Sequence, residues 1–320
     1  MDNLTHSLAG AVLGQMGLKR KTGLAMPTLI IAANLPDIDA FAVLLGGHQH
    51  LALRRGITHG PIAMLVLPLI LWAAMLWFDR WQERRGTRPD KRLPVHRGWL
   101  LALAFIGTIS HPMLDWLNNY GVRLLEPFSG RWFYGDTIFI IDIWIWIALI
   151  ASIWASLRRE RRGYGDWRRP AWMGFAAICA YIFANGLITG RAERMTAKAV
   201  AARHGIAPAL VVANPVPVQF WKRETQWRDA TRYGQGRFAL PDSVTLAGEL
   251  RPHRMDDPRL EAAIRAHPDG KAFLIWSRMP VAEVEGRGDA RVLRIKDQRF
   301  GDPRVRDRFT ASIPWKASGE

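Results

Sequence analysis

Four stretches of the chain are apolar over about 20 residues, the length a helix needs to cross about 30 Å of hydrocarbon. Pro61 to Phe78 carries no charge, Trp99 to Leu117 carries only His111 and Asp115, Ile138 to Leu157 carries only Asp142, and Ala171 to Thr189 carries none. Trp72, Trp77, Trp81, Trp99, Trp116, Trp144, Trp146, Trp154 and Trp172 lie in or beside these stretches, and many stand near the ends, as an aromatic belt requires. The pattern predicts four full spans. Two shorter apolar segments, Leu4 to Leu18 and Leu24 to Leu35, flank Lys19-Arg20-Lys21. They predict short or re-entrant helices packed against the spans. A cleaved signal peptide would carry its positive charge before the apolar stretch; here the basic cluster follows it, so the segment is expected to be retained.

After Thr189 the pattern changes: hydrophobic runs shorten and charges rise. Arg191 to Arg203 predicts an amphipathic helix closed by His204-Gly205. Ala209 to Ala213, Lys271 to Arg278, Ala290 to Ile295 and Phe309 to Trp315 predict strands bounded by Gly, Pro and Asp. The expected fold is an α-helical integral membrane domain over residues 1–189, with four full spans and short N-terminal helices. A small β-rich, α+β extramembrane domain follows over residues 190–320.

Charge sets the expected orientation. Arg80, Arg84, Arg85, Arg88, Lys91, Arg92 and Arg97 separate the first two spans, and Arg158, Arg159, Arg161, Arg162, Arg168 and Arg169 follow the third. By the positive-inside rule both loops face the cytoplasm, which places Asn118 to Thr137 and residues 190–320 outside. The net charge of +16 therefore has an explanation in topology over the first part of the chain. Farther on, basic and acidic residues are interspersed, which suits a solvated surface or anionic lipid better than a nucleic-acid groove. The chain has no P-loop, Gly-x-Ser-x-Gly, His-Glu-x-x-His or zinc-finger spacing. Its one cysteine, Cys179, excludes an intrachain disulfide.

The candidate chemistry lies in residues that lipid penalises. An ionised Asp near the centre of a span costs about 3 kcal/mol, so such groups normally face a partner or cavity. His6, Asp37, Asp39, His59 and Asp115 all reach the predicted outer boundary, with His111 one helical turn deeper. His111 and Asp115, four apart, share a helix face. Asp37 and Asp39 follow Pro36, a good first helical residue, so that one can ligate while the other orients or bridges. His59 stands between Arg54-Arg55-Gly56-Ile57-Thr58 and Gly60-Pro61, a break that frees its imidazole. Imidazole and carboxylate donors without thiolate favour a divalent metal, zinc before manganese or iron. One ion is expected, or two bridged by a carboxylate.

Four motifs carry a family resemblance: Leu-Thr-His-Ser around His6, Asn34-Leu35-Pro36-Asp37-Ile38-Asp39, Arg55-Gly56-Ile57-Thr58-His59-Gly60 and Ser110-His111-Pro112-Met113-Leu114-Asp115. In this order they resemble the LexA-binding, inner-membrane-associated metal-dependent hydrolases of bacteria, the YdjM-like family, over roughly residues 1–190. The order of His and Asp is also similar to part of the zinc site of secreted phospholipase C and of single-strand-specific zinc nucleases. That likeness implies that Asp37 or Asp39, His59, His111 and Asp115 hold one ion, and that His6 with Asp115 helps hold a second. No later His pair with Glu completes a third ion, and Asp136 and Asp142 are expected to support the ligands from behind.

The resemblance implies a membrane-bound metal-dependent hydrolase. It would cleave a phosphoester, lipid or lipid-linked, with a metal-activated water at the outer face of the inner membrane. The unligated member of Asp37 and Asp39 would serve as general base. Arg54 and Arg55 would hold an anionic head group, a surface charge pair being the alternative. Membrane lipids are the expected partners. A metal-binding transporter or a non-catalytic membrane partner protein is the rival reading.

Overall fold

The first helix, α1 (Asn3–Gln15), begins where the Asp2 carboxylate accepts a hydrogen bond from the Thr5 amide at 3.0 Å, the usual way an orphan N-terminal donor is satisfied. The computed structural model that shows this describes residues 1–46, 48–286, 291–301 and 309–315. Two compact units emerge: Met1–Asp39 with Arg55–Gly186, and Ala40–Arg54 with Leu187–Glu320.

In the first unit the short helix α2 (Ala25–Ala32) is apolar apart from Thr28 and buries Ala25, Thr28, Leu29 and Ala32 while leaving Ile31 exposed. It packs against α1, against α4 (Pro61–Arg84) and against α5 (Arg97–Trp116). Ala25, Leu29 and Ala32 are buried there with Leu71, Met75, Leu100, Leu103 and Ala104. Two glycines set how close the helices come. A side chain on Gly10 would reach within 2.7 Å of the Leu29 carbonyl oxygen, and one on Gly107 within 2.6 Å of Ala32 Cβ. Helix α6 (Ile143–Arg161) lies against α1, and Val12, Ile145, Leu149, Ala171 and Ile178 form a second core with the start of α7 (Arg169–His204).

The expectation of four full spans is corrected. Among the described residues two helices are long and apolar enough to cross a membrane, Pro61–Arg84 and Arg169–His204. A third candidate is a broken pair, Ala25–Ala32 followed by the 3-10 stretch Leu35–Leu45, bent by 41°. Helices α5 and α6 form close to where the hydrophobic pattern predicts them, but neither is apolar throughout. Thr108, His111 and Asp115 put a buried polar row on α5, and α6 ends in Arg158, Arg159, Glu160 and Arg161. The outer faces of α4 and α7 remain apolar: Leu65, Ile70 and Trp77, and Trp172, Phe183 and Leu187, are all more than half exposed, as lipid contact requires.

The second unit is β-rich. Strands β1 (Leu210–Pro215), β2 (Lys222–Arg228), β3 (Arg232–Ala239) and β4 (Ser243–Pro252) form an antiparallel meander in the order β1-β2-β3-β4. A second antiparallel sheet joins β5 (Pro280–Glu285), β6 (Val292–Asp297) and β7 (Thr310–Pro314). The short helix α3 (Gln49–Leu53) packs against α9 (Pro268–Trp276) in this unit, and the His48 amide donates to Asp269 Oδ1 at 2.9 Å. Helix α8 (Pro258–Ala266) precedes α9.

The strand predicted over Lys271 to Arg278 is instead the body of α9. His267 caps its N-terminus and Pro268 starts it, and Ala272, Phe273 and Trp276 fall on one buried face with helical rather than alternating spacing. The expected strand from Ala290 is seen from Val292 onward, Ala290 lying outside the described residues. The predicted amphipathic helix over Arg191 to Arg203 is the continuation of α7.

Candidate metal centre

The break after α2 builds one side of the centre. The Asp37 amide bonds back to Asn34 O at 3.1 Å rather than to Ala33, and the Ala33 carbonyl accepts from His111 Nδ1 at 2.7 Å instead. A carbonyl can only accept, so Nδ1 carries the ring proton and Nε2 presents its lone pair to the interior. The close approach at Gly107 sits one turn before His111 on α5, and that at Gly10 one turn after His6 on α1. Both imidazoles thereby arrive at the end of α2. Their rings stack with centroids 3.7 Å apart and planes 17° apart.

Asp37, His59, His111 and Asp115, all buried, offer ligand atoms that lie within 4.8 Å of one another. Asp115 Oδ2 stands 3.4 Å from His59 Nε2 and 3.5 Å from His111 Nε2, and His111 Nε2 stands 3.7 Å from Asp37 Oδ1. Donors around a tetrahedral ion with bonds near 2.1 Å are separated by about 3.4 Å. His111 Nε2 is buried with no hydrogen-bond partner among the described residues, which is costly for a polar atom unless a ligand completes it. The donor set and its spacing fit one divalent ion. The charge fits too: Arg55 and the Met1 amine, which contacts Asp115 Oδ1, offset only part of the charge on Asp37, Asp39 and Asp115.

The remaining predicted ligands stand beside this group. His6 Nε2 is 3.3 Å from Asp115 Oδ1, on the opposite oxygen from the one that faces His59 and His111. Asp39 sits behind His59. Its Oδ2 accepts from the Thr58 hydroxyl at 2.8 Å and from the Arg55 amide at 2.7 Å, and lies 3.4 Å from His59 Nδ1. Thr58 Oγ1 is itself 2.9 Å from His59 Nδ1. These contacts hold the His59 ring with Nε2 directed at Asp115, the carboxylate–histidine arrangement that orients ligands in metal sites.

Arg54 and Arg55 do not act as a pair. Arg55 has a left-handed backbone, φ 53°, an uncommon state for a residue with a Cβ and the kind of outlier that clusters at functional sites. The turn sends its side chain inward, where it is 3% exposed. Its Nε lies 2.9 Å from Asp115 Oδ2, its Nη1 donates to Asn118 Oδ1 and Gly121 O at 3.0 and 3.2 Å, and its guanidinium covers the Tyr120 ring. Arg55 thus anchors a ligand rather than reaching out for a head group. Arg54 caps α3 and belongs to the second unit.

Asp142 is committed elsewhere. It caps α6, accepting from the Trp144 and Ile145 amides at 3.0 and 3.2 Å, and takes the Tyr181 hydroxyl at 3.1 Å. Asp136 is buried with φ 48° and is not one of the four converging groups. Thr58, Asn118 and the Ala33 carbonyl also support the cluster, without being among the residues expected there. Thr58 and Asn118 had a signal, each being a polar residue within one helical turn of a predicted ligand.

The family model for the YdjM inner membrane protein matches residues 1–192, well over half of the chain. The chain belongs to that family. In this YdjM-family protein the matched region holds every residue of the candidate metal centre and both candidate spans up to position 192, while the seven strands among the described residues lie beyond it. No curated protein and no solved structure matches the chain.

Proposed function

We propose that this chain is a membrane-bound, metal-dependent hydrolase that cleaves a phosphoester, lipid or lipid-linked, at the outer face of the inner membrane. The observation that carries the reading is the convergence of two imidazoles and two carboxylates from three separate parts of the chain, the break after α2, the turn at His59 and the end of α5, with two of them oriented through a second hydrogen bond. Asp37, His59, His111 and Asp115 would hold the ion, and zinc suits donors of this kind. A divalent ion so held supplies Lewis-acid activation of water and of a phosphoryl oxygen. Asp39 and Thr58 position His59, and Arg55 positions Asp115.

The outer face is argued from charge. His6 and Asp115 lie towards the ends of α1 and α5 remote from Lys19–Lys21 and Arg97, and the basic ends mark the cytoplasmic side. Residues 190–320 then lie outside.

A vesicle screen of phospholipids, lipid-linked phosphates and soluble nucleotide diesters tests the proposal, comparing wild type with His111→Ala. Metal-dependent turnover by wild type, absent from the variant, is expected. Equal turnover by a variant that binds no metal would overturn it. A specific observation favours the rival reading: His111 and Asp115 are completely buried, whereas a catalytic ion keeps an open position. Bound metal with no cleavage, but with ion flux in vesicles, would decide for a transporter.

A further inference from the structure

At the end of the first unit remote from the candidate metal centre, an open cavity of about 400 Å³ is lined by Lys19, Arg20 and Arg92. Leu24, Met26, Pro27 and Leu93 contribute its apolar lining. His6 lies near the start of α1 and Lys19 beyond its end at Gln15; the helix alone sets them apart by about 14 Å at 1.5 Å per residue, so the two sites are distinct. We propose that this cavity binds the head group of an anionic phospholipid from the basic, cytoplasmic side of the bilayer.

Three features argue for it. The first is charge: of the lining side chains, three are cationic and one, Glu160, is acidic. Glu160 pairs with Lys19 and lies 3.5 Å from Arg20. The Arg92 Nη groups bond Asp79 Oδ1 and Gln82 Oε1 at 2.5 Å each. These bonds hold Arg92 in the lining of the cavity, where a phosphate would meet a cation already fixed in place. The second feature is rigidity. Lys19 and Arg20 both lie over the Trp167 ring at 4.6 Å, which fixes two flexible cations beside an indole of the interfacial kind. Gly23 meets the Leu93 carbonyl so closely that no side chain would fit there, and its amide donates to Pro94 O at 3.0 Å, which ties two lining segments together.

The third feature is the apolar wall. A free phosphate has no use for Leu24, Met26, Pro27 and Leu93, whereas a lipid places its glycerol and first methylenes against them. Basic pockets between helices on the cytoplasmic side are where anionic head groups bind.

The test uses the full chain in nanodiscs of phosphatidylcholine containing a minority of phosphatidylglycerol, with retained lipid read by native mass spectrometry. Wild type should retain phosphatidylglycerol in preference to phosphatidylcholine. Replacing both Lys19→Gln and Arg20→Gln should cut that preference by roughly ten- to thirtyfold, each cation contributing about fivefold. Arg20 is half exposed, so the single Arg20→Gln variant, which disturbs the fold least, should lose about fivefold by itself. Arg161→Gln with Arg162→Gln, away from the cavity, should leave the preference unchanged. Undiminished preference in the Lys19 and Arg20 variants would overturn the proposal. So would equal loss in the Arg161 and Arg162 control, which would make the effect diffuse surface charge. Protection of Lys19 from amine labelling in detergent by inorganic phosphate as strong as by phosphatidylglycerol would overturn the lipid assignment.

Discussion

Asp115 is the residue on which the centre turns. One carboxylate oxygen faces His6 and the Met1 amine, and the other faces Arg55, His59 and His111. Purified protein should carry about one transition-metal ion per chain, and His59→Ala, His111→Ala and Asp115→Ala should each lose it in elemental analysis; stoichiometric metal in all three would refute the site. Asp39→Asn should behave differently. It removes the charge behind His59 but no converging ligand, so chelator competition should show affinity weakened by about 10- to 100-fold rather than abolished. Asp297 in the second unit makes a prediction about pH. Burial pushes its carboxyl up, but the Arg299 charge and hydrogen bonds from Arg299 and Ser277 outweigh burial and hold it below the usual carboxylate range. A depressed folded pKa contributes stability above the unfolded value, near 4, that is lost as pH falls through the folded value. Wild-type melting should therefore drop in acid, while Asp297→Asn should be less stable at pH 7, by about 3 kcal/mol because Arg299 loses its buried counter-charge, and should change less on acidification.

At the scale of elements, the centre depends on helices that approach closely and on one that breaks. Gly10 and Gly107 let α1 and α5 press against α2, and the ligand-bearing turns lie next to those contacts. Gly107→Val should push α5 from α2, costing about 1–3 kcal/mol by overpacking. It should also lower metal affinity although no ligand has changed. Thermal unfolding and metal content measured on the same preparation check this, and a destabilised variant with full metal affinity would show that helix spacing does not set the site. The break after α2 does the complementary work, releasing the Ala33 carbonyl for His111 and carrying Asp37 into the cluster. The break itself is covered by protein, with Ala33, Pro36 and Asp37 buried, as irregular backbone within an apolar region requires.

For the whole molecule, the distribution of charge yields a test of orientation. Reporter fusions at Arg88 and Gly163 should face the cytoplasm, and one at Ser318, which lies outside the described residues, should face outward. An inward Ser318 reporter would put the metal centre on the other side and remove the argument for outer-leaflet substrates. Among the described residues two helices satisfy length and apolarity outright, with a broken third. Helix α5 is not among them; it combines exposed apolar residues at Ile109 and Met113 with the buried polar row of the centre.

Periodicity and charge alone located α4, α5, α6 and α7 and the change at the end of the membrane region, because hydrophobic runs of span length and clustered arginines are local properties of the chain. The four residues that converge, Asp37, His59, His111 and Asp115, were legible as candidates for a related reason: Asp and His in apolar surroundings are costly unless partnered, so their positions stand out. Their division of labour was not legible. Whether Asp37 or Asp39 faces the cluster depends on a 41° break and on the left-handed turn at Arg55, and whether Arg55 faces lipid or Asp115 depends on that same turn. Strand β2 escaped notice because Arg223 is fully buried, its charge satisfied by Thr189 Oγ1 and the carbonyls of Phe220 and Lys222, so polarity there reports pairing rather than exposure. The sequence by itself determined which residues could not be left to lipid; only the tertiary structure, by fixing helix spacing and backbone reversals, decided which of them meet.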